Sequence, residues 1–173
     1  MKYILPLIAF SLLLLQSCAT ESEKALEFND AVIKEQTKII ELSIDLFETM
    51  ETDIEKSKEI RLEIVKQCDV SLAAIKKLEE FEGSQRLKSA AIKLFSFYKS
   101  IYSNEYKQMF DILDKGINIT EEDLAYMEQM EVEVTKNEEK LDKEFADAQQ
   151  ELATKFNFQM EENVNQEKID AIK

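Results

Sequence analysis

Six aromatic residues fall within sixteen positions of this chain: Phe95, Phe97, Tyr98, Tyr102, Tyr106 and Phe110, with Glu105 among them. At helical spacing Phe95, Tyr98, Tyr102 and Tyr106 share a face, where rings supply large burial and each hydroxyl needs a polar partner. Two uses fit that pattern. One is core packing; the other is a ligand-binding cleft for a small apolar or sugar-like molecule, formed by Tyr98, Tyr102, Glu105 and Tyr106. Sugar platforms favour exposed rings, often Trp, and the chain has no Trp. Glu35, Glu105, Glu131 and Glu138 interrupt otherwise apolar heptad positions. Carboxylates converging inside a bundle can hold a hard cation such as calcium, and the same residues can instead pair with lysines at a bundle edge. The acidic stretch 114–123 lacks the oxygen-ligand spacing and central glycine of an EF-hand. No metal and no cofactor is assigned.

The second chemistry-bearing group is Cys18. Lys2 precedes an apolar run, Ile4 to Leu15, that is shorter than the roughly 20 residues of a membrane-spanning helix and reads as a cleaved signal. Leu15 and the small Ser17 before Cys18 resemble the recognition box of bacterial lipoprotein signal peptidase, with Gln16 a less usual occupant. On that reading Cys18 is the lipid attachment site, carrying a thioether diacylglycerol and then an N-acyl chain such as palmitate. More than one acyl chain gives stable anchoring. An ordinary secretory signal with an incidental cysteine is the alternative. Ala19, rather than Asp, after the cysteine favours the outer membrane, with the periplasmic or surface-exposed face left open.

The absences narrow the chemistry further. With no His, the chain has no Ser/His/Asp or Cys/His nucleophile, no imidazole metal ligand and no Glu-x-x-His di-iron pattern. The expectation is a protein that is not an enzyme. Its formal net charge of -14, one unit more negative once Lys2 is removed, is unsuited to nucleic acid and repels anionic membrane surfaces. Partners are therefore the membrane, through the lipid, and a protein of unspecified identity, with a homodimer as one option. Cys68 is the single thiol left after lipidation and falls on the Ile64, Cys68, Leu72, Ile75 stripe, as a small buried hydrophobe does.

These groups must be positioned by helices. The only proline is Pro6, and the only glycines are Gly83 and Gly116. A first helix is expected over 23–49, with Thr20 and Glu23 spaced as a capping box, and apolar positions Ala25, Phe28, Val32, Ile39, Leu42 and Leu46. Thr52, Asp53 and Glu55 offer the next start, although Met50 and Ile54 also fit an unbroken helix. Glu82-Gly83-Ser84 reads as a turn, with Gly83 left-handed and Ser84 as N-cap. A third helix runs from Gln85 to about Lys115 and stops at Gly116, with Ile117 packing back on Ile112. Thr120 caps the fourth, where Glu121, Glu122 and Asp123 complement the helix dipole and Ile119 staples to Leu124.

The result is an all-α fold, an antiparallel up-down-up-down four-helix bundle, with a three-helix arrangement and one very long first helix as the alternative. Its parts are a lipoprotein signal peptide at 1–17, a lipidated N-terminus and short tether at 18–22, the helical bundle at 23–160, and a polar C-terminal tail at 161–173. Two functions fit: a membrane-anchored interaction or structural module, or a carrier holding a small apolar ligand between bundle helices.

The run from Ala90 through Phe95, Phe97 and Tyr98 to Ser100, followed by Asn104-Glu105-Tyr106, resembles a family of uncharacterised surface lipoproteins of Bacteroidota and spirochaetes. The turn Ile119 to Asp123 and the ending Ala148-Gln149 to Lys155-Phe156-Asn157-Phe158 are similar to it as well. The resemblance implies an exported helical-bundle lipoprotein and assigns no binding residue.

Overall fold

The computed structural model describes the backbone of residues 5–160 and the side chains of residues 21–160. The expected tail at 161–173 and the side chain of Cys18 lie outside the described residues. Among the described residues the structure is all-helical: α1 (Leu5–Met50), α2 (Ile54–Lys77), α3 (Gln85–Ser103), α4 (Glu105–Leu113), a 3-10 turn (Gly116–Asn118) and α5 (Glu121–Phe156). No helix among them is long and apolar enough to cross a membrane.

α1 departs from expectation at its start. It does not begin at Glu23 behind a Thr20 cap but runs unbroken from Leu5. The physical reason is that nothing between Pro6 and Met50 breaks a helix, and Pro6 sits in the first turn, where a missing N–H is tolerated. At its other end the break is real, which removes the arrangement with one very long first helix. The N-cap of α2 is Asp53, not Thr52, its carboxylate accepting from the Lys56 N–H at 3.0 Å. The fully buried Ser57 locks this turn, donating to the Asp53 carbonyl and bonded to Thr49 Oγ1 at 2.9 Å.

Gly83 is left-handed, with φ 105°, and needs to be glycine twice over. A Cβ there would stand 3.0 Å from Lys155 Cδ and 3.1 Å from Phe156 Cε2, so the turn between α2 and α3 presses directly on the end of α5. Ser84 occupies the N-cap position, but its hydroxyl turns back to the Phe81 backbone instead of capping the helix. Gly116 is also left-handed, yet Ile117 is fully exposed, so the expected contact with Ile112 does not form. A 3-10 turn directs Ile117 outward. Leu124 is also exposed. The Thr120 cap forms as a complete capping box: its hydroxyl accepts from the Asp123 N–H and the Asp123 carboxylate accepts from the Thr120 N–H.

The expected third helix is two. α3 and α4 meet at Asn104 (φ -114°, ψ -69°), which itself still donates to the Ser100 carbonyl and accepts from the Gln108 N–H. Beside the break, the Tyr102 carbonyl accepts from the buried Arg61 guanidinium of α2 at 2.7 Å. α1 packs on α2, α2 on α3, α3 on α5, and α5 again on α1. Phe95, Ile39, Leu46, Ile64, Ile75, Leu87, Leu94 and Leu152 are fully enclosed between them. Phe28, Phe81 and Phe156, from α1, the α2–α3 turn and α5, meet edge to face at 5.5 and 5.6 Å.

Candidate functional site

The aromatic face of α3 is core. Tyr98 is 8 % and Tyr102 4 % exposed, and their hydroxyls are taken up internally: Tyr98 donates to Asp142 Oδ1 of α5 at 3.3 Å, and Tyr102 to Ser43 Oγ of α1 at 2.9 Å. Ser43 passes the chain on to the Ile39 carbonyl. Tyr106 leans on Tyr102, ring centroids 4.8 Å apart, and meets Phe47 edge-on. Burial, reinforced by the carboxylates of Asp142 and Glu138 near Tyr98, and of Glu138 and Glu131 near Tyr106, pushes these phenols well above their usual range. For Tyr102 the cause is burial and then Tyr106. Tyr98 and Tyr102 are therefore held as neutral hydrogen-bond donors.

Cys68 is fully buried and its thiol is pushed up to about 12 by burial, which makes it an inert packing group. The four inward-phase glutamates do not converge. Glu35 accepts from Ser71 Oγ at 2.8 Å and pairs with Lys38, Glu131 is exposed, and Glu138 lies near the tyrosines. No group of three metal-ligating side chains forms among the described residues.

Glu105 behaves differently. It is the first residue of α4, immediately after the Asn104 break, and its Oε2 is closed off from solvent without a hydrogen-bond partner. Glu105 lines a cleft of about 210 Å³ between α3 and α5 whose apolar walls are Phe97, Ile101, Met130 and Val134. Tyr126 stands at its edge, its hydroxyl donating to Gln108 Oε1 at 2.8 Å and so tying α5 to α4. Of the four sequence-named residues, Glu105 alone lines this cleft. Neither Met130 nor Tyr126 stands out in the sequence, and Val134 reads there only as part of the apolar face of the fourth helix. A wider, open groove of about 510 Å³ lies between α2 and α3, with Ser96, Ser100, Ser103, Lys76 and Lys99 among its walls, and Lys99 bonded across it to Asp69 at 2.7 Å.

The chain matches no protein-family model, no curated protein and no solved structure.

Proposed function

We propose that this chain is a bacterial envelope lipoprotein, anchored through Cys18 and sorted to the outer membrane, whose acidic bundle is a non-enzymatic interaction or structural module. The observation that carries the reading is Leu15-Gln16-Ser17-Cys18 at the end of a short apolar run. A buried, neutral tyrosine face and a buried Cys68 with a raised pKa support it, because none of these three groups is an activated nucleophile. We read the helix order as up-down-up-down. The cyclic packing of α1, α2, α3 and α5 supports this, as do the meeting of Phe28, Phe81 and Phe156 and the pairing of Lys58 with Asp114 at 2.6 Å. The aromatic trio then lies at the Cys18 end, and the turns near Glu51 and Gly116 lie at the far end.

Metabolic labelling with an alkyne palmitate, followed by fractionation, tests the anchor. The wild-type chain is expected in the membrane fraction and labelled; Cys18→Ala loses both. Undiminished membrane association of the variant overturns the reading.

A second reading, a carrier of a small ligand held between α3 and α5, is favoured by the 210 Å³ cleft. It is independent of the anchor.

A further inference from the structure

We infer that the outer halves of α1 and α5 form the docking face for a basic amphipathic helix of a partner protein, its apolar side on Phe47, Leu124 and Met127 and its cations among the carboxylates of both helices. This deepens the interaction-module reading and rests on that part of it, not on the Cys18 anchor. The first observation behind it is an open apolar seam. α1 and α5 make the sparsest of the four side-by-side packings in the bundle, and no residue of α5 from Glu121 to Glu144 is buried. Tyr106 of α4 stands between them, its ring edge-on to Phe47 of α1 at 5.9 Å and its hydroxyl near Glu138 and Glu131 of α5. Phe47, Met50, Tyr106 and Met127 are left partly exposed, and Leu124 is 56 % exposed. A helix laid along this seam would cover rings and thioethers that the fold leaves half wet, and methionine adapts readily to what packs on it.

Charge decides what covers it. Within residues 21–160 the two longest stretches without Lys or Arg are 39–55 and 116–135, and each carries six carboxylates. They hold the end of α1 and the start of α5, the two sides of the seam. The lysines that border them are already engaged: Lys56 with Glu59, Lys58 with Glu55 and Asp114, and Lys115 with Asp123. Glu48, Glu51, Glu121, Glu122 and Glu128 join no ion pair among the described residues. Such a surface concentrates a cationic partner and speeds its encounter. The same sign excludes the other occupants. A second copy would set these carboxylates against their like, in a chain of net charge -14. The chain's own residues 161–173 carry Glu161, Glu162, Glu167 and Asp170 against Lys168 and Lys173, so they are acidic too. An anionic membrane surface is repelled.

The test is methyl NMR of the intact chain, labelled at methionine and isoleucine, titrated with a helical peptide of leucine and lysine in amphipathic order and with a scrambled peptide of the same composition. The expected result is saturable shifts of the Met50 and Met127 methyls, with those of Ile92 and Met160 unmoved, at a Kd of about 100 μM or tighter, and the scrambled peptide roughly tenfold weaker. Glu48→Gln, Glu128→Gln and Glu131→Gln together, all at exposed positions, should weaken the amphipathic peptide roughly tenfold. Glu27→Gln, Glu63→Gln and Glu79→Gln together, equally exposed but away from the seam, should change it less than about twofold. Equal binding of the scrambled peptide, or equal loss in the two triple variants, would mean adsorption over the whole acidic chain and overturns the seam. Shifts confined to another face overturn the seam and keep an interaction module. No saturable shift with either peptide overturns the proposal. Photocrosslinking in cells from Glu48 and from Leu62 of α2 then separates the failures: an adduct at Leu62 alone keeps the module, and no adduct at either removes it as well.

Discussion

Arg61 sits where a stretch of sequence with no proline or glycine between Ser84 and Lys115 nonetheless breaks as a helix. Its guanidinium is buried, burial lowers its pKa, and it reaches from α2 to the Tyr102 carbonyl beside the Asn104 interruption. A carbonyl released from a helix ladder in the interior needs a donor, and a charged donor serves it well. Arg61→Met keeps most of the aliphatic bulk but leaves that acceptor unserved. The expected cost is about 1–3 kcal/mol, read as a lower denaturation midpoint at unchanged slope. An unchanged midpoint would mean that the break is held by packing alone. The sequence could not announce this residue, because an arginine in an amphipathic helix looks like a solvated one until its neighbour's backbone is known. Glu105 carried a partial signal, a carboxylate at an apolar phase. The other residues of the cleft carried none as a site, because Met130 and Val134 read as helix packing until α3 is set beside α5.

At the scale of elements, legibility followed locality. Gly83, Gly116 and Thr120 declare their conformations in one or two residues, and the structure places left-handed backbone and a capping box there. Asn157 does the same work at the end of α5, with φ 53°, and shows that asparagine can replace glycine at such a stop. The division of α3 from α4 was not legible because no proline or glycine marks it; Asn104 is only a weak helix former, and Arg61 from another helix completes the break. The Thr120 cap has a pH signature. Asp123 is held down at about 2, first by its bond from Lys115 and then by the Thr120 N–H. A carboxyl depressed in the folded state stabilises above its unfolded pKa, near 3.8, and that contribution is lost as pH falls toward 2. Thermal midpoints of wild type and Asp123→Asn should therefore differ above about pH 4 and converge near pH 2. A constant gap would show that Asp123 does not act through its charge.

Across the whole molecule, cohesion is uneven. From Glu121 to Glu144 every residue of α5 is at least partly exposed, with Leu124 and Val132 more than half so, whereas Phe145, Ala148, Leu152 and Ala153 are buried. The all-helical class was readable from periodicity, but this gradient was not. Met127, Val134 and Leu141 repeat every seven residues as regularly as the buried set does, and only the path of the neighbouring helices decides which of them is enclosed. Hydrogen exchange should register the difference, with amides of 125–143 opening at least about tenfold faster than those of 145–155. Uniform protection along α5 would contradict it.

The aromatic trio has a mechanical meaning for a chain tethered at residue 18. Lys24 lies over the central Phe81 ring and Lys155 over that of Phe156, so two cations rest on the Phe28–Phe81–Phe156 seam. On the lipoprotein and up-down readings proposed above, tension drawn through α1 from a lipid on Cys18 would reach this seam first and load it in shear, before force arrived at the looser half of α5. Such a molecule grips hardest beside its mooring and yields at its tip.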